Sequence, residues 1–223
     1  MKSVVLLSSG LDSTVNLFEA LQKTEVVLAL TFNYGQRAAS RELERASAIA
    51  KRAGVAWKNL DLTWFSEFTK TSLVNRANEV PVGGAISIDD LKVSNETAKA
   101  VWVPNRNGIF LNIGAAFAEG LGADIVVPGF NIEEGATFPD NTQGFLDALS
   151  DAFQFSTSNA VRAECFTTGL NKTQIVARGR ALKAPFELMW PCYFAGAEPC
   201  GECESCKRFA RATSAPVDAG GAW

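Results

Sequence analysis

Two hydrophobic periods alternate along the first sixty residues. Residues 3–7 are a short apolar run that reads as a buried strand, closed by a turn over residues 8–10. From about 12 to 22, Val15, Phe18 and Leu21 fall at helical spacing. Residues 26–32 are strand-like again. The pattern over 41–52 predicts a helix, with Leu43, Ala46, Ile49 and Ala50 on one side and Gly54 as its stop. Residues 56–62 predict a third strand. Strand, helix, strand, helix, strand implies a parallel sheet joined by crossover helices. Residues 63–102 have weak periodicity and carry the breaker Pro81-Val82-Gly83-Gly84, so they read as a long excursion of the kind that serves a substrate or a partner. Beyond it the pattern predicts helices over 109–121, 143–153 and 172–182, and a strand over 124–127 that ends at Pro128-Gly129. No internal repeat or low-complexity tract interrupts this order, and the small residues from about 214 are expected to fray.

Composition narrows the classes. A chain of 223 residues suits one domain, and 47% hydrophobic with 20% charged residues is ordinary for a globular protein with a core. A net charge of −3 supplies no global basic field, so nucleic acid is not the expected partner. No apolar run reaches the roughly 18–20 residues of a membrane span, and the apolar start leads straight into a glycine-containing turn; a cytoplasmic location is expected. There is no histidine. Proton transfer therefore falls to Asp, Glu, Lys, Tyr, Cys or the substrate's own groups.

The turn after the first strand is Ser8-Ser9-Gly10-Leu11-Asp12-Ser13-Thr14. A strand, a Ser/Gly turn and a helix leave backbone N–H groups free at the helix start, where they and the helix dipole suit phosphate. Gly10 permits the tight turn, the hydroxyls add donors, and Asp12 suits Mg²⁺ bridging phosphates. No Gly-Lys-Ser/Thr follows, so this is not a Walker loop. The competing reading is an ordinary helix start with Ser or Asp as its cap.

Other segments should open onto the same sheet edge. Thr31-Phe32-Asn33-Tyr34-Gly35-Gln36-Arg37 follows the second strand; its backbone suits adenine, with Phe32 or Tyr34 packing nearby and Arg37 reaching a phosphate. Val103-Pro104-Asn105-Arg106-Asn107-Gly108 precedes a helix and offers Arg106 as a bidentate anion ligand. Gly129-Phe130-Asn131-Ile132-Glu133-Glu134 places paired carboxylates for a metal or a polar substrate, and Phe138-Pro139-Asp140-Asn141 suits a cavity wall. Lys172 begins a helix, where the dipole disfavours a cation, so an anion is expected beside it. Each of these also reads as a solvated loop or surface residue.

Cys192, Cys200, Cys203 and Cys206 crowd into fifteen residues as C-x7-C-x2-C-x2-C. Such spacings let thiolates converge on one tetrahedral ion, and a four-sulfur set suits closed, structural Zn²⁺. A redox or iron–sulfur site is the rival. Lys207, Arg208 and Arg211 would partly offset the charge. Cys165 stands apart and reads as a small buried apolar residue.

The loop resembles the Ser-Gly-Gly-x-Asp-Ser motif of the PP-loop ATP pyrophosphatases, with Ser9 in place of the first glycine. That resemblance implies cleavage of ATP to AMP and pyrophosphate. It also implies an α/β, Rossmann-like parallel sheet with helices on both faces over 1–185, a small zinc-binding segment over 186–213 and a flexible tail over 214–223. Taken together, the loop, Leu30 to Arg37, Val103 to Asn107, Asn171-Lys172-Thr173, Trp190-Pro191-Cys192-Tyr193 and the four cysteines resemble the 7-cyano-7-deazaguanine synthases. The resemblance implies an ATP-dependent ligase acting on 7-carboxy-7-deazaguanine and ammonia in queuosine precursor synthesis, with Mg²⁺, structural Zn²⁺ and a homodimeric assembly. It implies Asp12, Ser13, Arg106 and Lys172 as catalytic residues. ATP would lie against Leu7, Ser8, Ser9, Gly10, Leu11, Asp12, Ser13, Thr14, Val15, Asn16, Leu17, Thr31, Phe32, Tyr34, Arg37 and Gly129. The chain departs from the family pattern at three places. Ala136-Thr137-Phe138-Pro139-Asp140-Asn141-Thr142 stands where Ser-Gly-Tyr-Pro-Asp-Cys-Arg is usual, Pro191 replaces a common Ser, and Asn33 replaces a usual Asp. A related enzyme adenylating another acid, nucleotide or protein acceptor is the alternative, and a non-catalytic nucleotide sensor is a third reading.

Overall fold

The computed structural model describes residues 1–88 and 97–215. The first apolar run, β1 (Lys2–Leu6), lies at the centre of a five-stranded sheet with β2 (Glu25–Asn33), β3 (Trp57–Asp61), β4 (Ile125–Val127) and β5 (Arg162–Ala163). The order is β3-β2-β1-β4-β5, and every pairing is parallel. The helices with both ends among the described residues are α1 (Leu11–Lys23), α2 (Ala39–Ala53), α3 (Arg106–Gly120), α4 (Ile132–Gly135), α5 (Gln143–Ser156), α6 (Lys172–Ala181) and α7 (Glu204–Ser214), and residues 97–101 are helical as well.

Strand alternation explains why the first run is apolar throughout. Val4 and Leu6 face one side with Leu28, Leu30 and Phe32, and pack against Leu111 and Ala115 of α3 and Leu146 and Phe153 of α5. Val5 and Leu7 face the other with Ala29, against Leu17 and Ala20 of α1 and Ala46, Ile49 and Ala50 of α2. A strand buried on both faces has no polar side to show. Gly114 lets α3 sit close, since a Cβ there would lie 2.6 Å from the Val126 side chain. The expected two-faced α/β architecture is therefore present.

The order reverses between β1 and β4, which opens a crevice at their carboxyl ends. Over that crevice lie the excursion and the C-terminal segment. Leu73, Val74, Val101 and Val103 form a cluster with Tyr34 and Phe65, the last from a 3-10 turn over Thr63–Glu67. Ala212 of α7 packs with Leu11 and Val15 of α1 and Ile175 and Val176 of α6. Val82 bridges Cys203, tying the excursion to the cysteine segment.

Several elements differ from the pattern-based reading. The third long helix begins at Arg106 rather than near 109, because Asn105 takes a left-handed conformation (φ 50°) and turns the chain directly into it. β5 has two residues and α4 four, too few for any period to register. α7 starts inside the cysteine spacing, at Glu204, and runs on to Ser214, a helix the pattern-based reading lacks. Positions 89–96 of the excursion and 216–223 of the expected tail lie outside the described residues. Among the described residues no helix is long and apolar enough to cross a membrane.

Candidate active site

Residues 7–10 carry β1 into α1 and are stitched together locally. Ser13 Oγ accepts the Ser8 N–H at 3.2 Å, donates to the Gly10 carbonyl at 3.2 Å and lies 3.1 Å from Ser8 Oγ. No side chain caps α1, so the N–H donors of its first turn stay available, as an anion site requires and an ordinary capped start does not. Ser9 adopts φ 65° and its carbonyl accepts the Trp190 N–H at 2.9 Å. The substitution of serine for glycine thus falls on a left-handed backbone position, which costs a side-chain-bearing residue about 1 kcal/mol. Gly129 follows β4 and presses on this loop, because a Cβ there would sit 2.4 Å from the Ser13 nitrogen.

The anion expected beside Lys172 is supplied by the protein. Lys172 Nζ donates to Asp12 Oδ2 at 2.5 Å and to Glu134 Oε1 at 2.7 Å. Its backbone N–H reaches Glu133 Oε1 at 2.8 Å, and Asn171 and Gln174 close a capping box around the same helix start. Burial works against the Lys172 charge, but the two carboxylates outweigh it and hold its pKa above the ordinary range. Burial pushes Asp12 up to about 6, against the pull of Lys172 and with a push from Glu134. Asp12 Oδ1 is buried without a hydrogen-bond partner. An orphaned carboxylate oxygen beside uncapped N–H donors fits a Mg²⁺ ion that accompanies a polyphosphate.

These groups line a cavity of about 290 Å³. Ser8, Gly10, Leu11, Asp12, Ser13 and Gly129 form one end. Leu7, Thr31, Phe32 and Tyr34 continue the wall along β1 and β2, and Thr31 Oγ1 donates to the Leu7 carbonyl at 2.7 Å. Trp102, Arg106, Asn107, Phe138, Asp140 and Asn141 form the far end. Burial opposes the Arg106 charge, yet nearby Tyr34, Asp140 and Glu134 raise its pKa. Its guanidinium sits 5.8 Å from the centre of the Tyr34 ring. The Trp102 and Phe138 rings are near parallel, 6.0 Å apart at 10°.

Some expected contacts are not at the cavity. Val15 and Leu17 face the apolar cores. Asn16 braces the interior instead, donating to the Asp12 carbonyl and Thr167 Oγ1 and accepting the Phe166 N–H at 2.9 Å. Ser9 and Thr14 are fully buried behind the loop, with hydroxyls that lack partners. Arg37 does not reach the cavity: its guanidinium is taken by the carbonyls of Ser72, Asn75 and Asn78, where it holds the excursion down. Conversely, Glu42, Trp102, Trp190, Tyr193 and Glu204 line the cavity and were not singled out from the sequence as site residues. Glu42 had no local signal, being one of two acids on α2.

The four Sγ atoms of Cys192, Cys200, Cys203 and Cys206 lie within 4.8 Å of one another. Backbone N–H groups of Phe194 and Cys200 point at Cys192 Sγ, at 3.4 and 3.3 Å, and that of Cys203 at Cys200 Sγ at 3.3 Å. Four converging sulfurs with N–H support fit a closed tetrahedral metal site. The nearby cations serve other partners. Arg208 and Arg211 reach Glu133 Oε2 at 3.1 and 2.6 Å, Arg208 also pairs with Glu204 at 2.8 Å, and Lys207 donates to the Gly83 carbonyl. Glu133 thereby links the cysteine segment to the helix start that presents Lys172.

The family model described as "Queuosine biosynthesis protein QueC" matches residues 2–215. The 7-cyano-7-deazaguanine synthase of Bdellovibrio bacteriovorus is 58% identical over 219 residues, covering 97% of this chain and 95% of that protein. That of Methanosarcina mazei is 45% identical over 218 residues, covering 95% and 93%. Among solved structures, a 4-thiouridine synthetase in complex with RNA and with bound ATP superposes with a TM-score of 0.50 at 19% identity, over 90% of this chain and 44% of that one. The structural likeness speaks to the fold alone, a parallel α/β sheet. The sequence match runs nearly end to end, and this chain belongs to the QueC family of queuosine biosynthesis proteins.

Proposed function

We propose that this enzyme converts 7-carboxy-7-deazaguanine and ammonia to 7-cyano-7-deazaguanine, with ATP adenylating first the carboxylate and then the amide. The observation that carries the reading is the uncapped, glycine-backed start of α1 facing the same cavity as Asp12, Lys172 and Arg106. A carboxylate is a poor electrophile because oxide leaves badly, whereas AMP leaves well. Its attack on the α-phosphorus releases pyrophosphate, and ammonia then displaces AMP to give the amide. A second adenylation, on the amide oxygen, allows AMP and the remaining N–H protons to leave as the nitrile forms.

The enzyme's task is to hold two anions together and keep water out. The α1 N–H groups with Ser8 and Ser13 grip phosphate, and Lys172 and Arg106 supply positive charge. Mg²⁺, held by Asp12, would shield the phosphates. The four cysteines would hold Zn²⁺ structurally, and their segment closes the cavity through Trp190 to Tyr193. No step requires histidine. A homodimer in the cytoplasm is the setting we propose.

Mass spectrometry of zinc-loaded protein given ATP and 7-carboxy-7-deazaguanine, with and without ammonium, tests the reading. AMP, pyrophosphate and the nitrile are expected, and their absence would refute it. Asn141, buried at the cavity wall where the family usually has Cys, supports a second reading in which a related acid is activated. A panel of heteroaromatic acids in the same assay separates the two.

A further inference from the structure

Five carboxylates line the cavity among the described residues: Asp12, Glu42, Glu134, Asp140 and Glu204. Four are committed. Asp12 and Glu134 share Lys172, and Glu204 holds Arg208. Asp140 accepts the Asn141 amide at 3.0 Å and lies in the field of Arg106. Glu42 has the smallest set of partners. Arg106 acts on it as on Asp140, but Asp140 is also held by Asn107 and a backbone N–H, whereas Glu42 Oε2 accepts the neutral amide of Gln36 at 2.7 Å and the carboxylate makes no ion pair among the described residues.

That carboxylate is deliberately oriented. Gln36 Nε2 also donates to the Phe32 carbonyl at 3.0 Å, and Gln36 Oε1 accepts the Tyr34 N–H at 2.9 Å. The amide can therefore present only its nitrogen to Glu42. Burial pushes the Glu42 carboxyl up to about 7, while Gln36 and the more distant Arg106 pull it down. An unpaired carboxylate is unfavourable in a cavity that must admit two anions, unless a cation arrives with them. Ammonium is the one cation the reaction consumes.

We propose that Glu42 binds the ammonium ion and accepts its proton as the nitrogen attacks, an assignment that rests on the reaction proposed above. Ammonium has no lone pair, so one N–H bond must break first, its proton passing to the carboxylate. The freed pair forms the C–N bond at the adenylated carbonyl, the C–O bond to AMP breaks, and AMP leaves with that electron pair. The amide nitrogen sheds a further proton to solvent. Glu42 later releases its own proton to solvent.

The test compares Glu42→Gln and Glu42→Asp with wild type by steady-state kinetics, varying ammonium, ATP and 7-carboxy-7-deazaguanine in turn. A parallel assay supplies the amide directly, which bypasses the ammonium step. Glu42→Gln is expected to lower kcat/KM for ammonium about 10²-fold or more. The KM values for ATP and the acid should stay within about twofold, and nitrile should still form from supplied amide. Glu42→Asp should recover part of the loss. Unchanged ammonium kinetics, or an equal loss from supplied amide, would overturn the assignment. A rise confined to the KM of ATP or of the acid would instead place Glu42 on a ribose or base N–H or O–H donor, and would also overturn it. Wild type that forms no product with ammonium would refute the parent reaction, a result distinct from an active wild type with a normal variant.

Discussion

The two ends of the cavity are built in different ways. The loop end is largely local: Ser8, Gly10 and Ser13 close their own hydrogen bonds within six residues, while Gly129, Lys172 and the Trp190 N–H reach it from elsewhere. The rest of the cavity draws on Tyr34, Glu42, Trp102, Arg106, Phe138 and Tyr193, which are spread over about 160 positions of the chain. Gripping phosphate is a backbone property, because N–H groups at a helix start do it with almost any side chains around them. Choosing an acid and a nitrogen donor needs side chains of particular shape and charge, and these can be recruited from any element that reaches the crevice. The charges differ too: buried carboxylates near the loop are paired, while Glu42 is not.

The sharpest attack on this contrast is at the loop. Asp12→Asn removes the candidate metal ligand and one Lys172 partner, and should cut AMP formation about 10³-fold or more in a pyrophosphate-release assay. Normal AMP production would take the phosphate chemistry away from this end. Lys172→Met leaves Asp12 and Glu134 buried without their cation. A loss of about 3–5 kcal/mol in denaturant unfolding is expected, and a loss below 1 would mean the pair is not buried as described.

Cys203→Ser should abolish stoichiometric zinc in elemental analysis and loosen α7. Because α7 carries Arg208 and Arg211 to Glu133, hydrogen exchange at the start of α6 should accelerate as well. Zinc loss with unchanged exchange there would cut the link between the two segments.

Two smaller effects separate the ends by stability alone. A carboxyl whose folded pKa lies above its unfolded value holds its proton more tightly when folded, so its contribution is present at low pH and is lost as pH rises through the folded pKa. For Glu42 that window runs from 4.5 to about 7. Glu42→Gln should therefore raise Tm relative to wild type at pH 8, with the gain shrinking toward pH 4.5; a pH-independent difference would show the carboxyl is not desolvated. Ser9→Gly should stabilise by about 1 kcal/mol, since it relieves a left-handed serine and removes a buried hydroxyl without a partner.

Legibility followed the same division. The sheet, its two-faced core and the loop could be read because each rests on short-range pattern: doubly buried strands, a helical apolar stripe, a Ser/Gly turn. Lys172 betrayed itself by sitting at a helix start, where a cation is out of place, although the compensating anions proved to be Asp12 and Glu134. Asn16 and Arg37 were misplaced because polar side chains near a site look alike in sequence, whether they meet ligand or brace the interior. Glu42 carries no motif or spacing that sets it apart on α2, so its place at the cavity could not be read from the sequence.

The sequence by itself determined the α/β class, the Ser/Gly turn after the first strand, the four-sulfur cluster and the family. All of these are carried by residues close in the chain or by backbone preference, so spacing suffices. Only the tertiary structure decided which carboxylates are paired, that Arg37 is a brace, that the cysteine segment reaches Lys172 through Glu133, and that Glu42 faces the cavity without an ion pair among the described residues. Burial and ion pairing between residues 38 to 160 positions apart depend on how layers pack, and no local period records that.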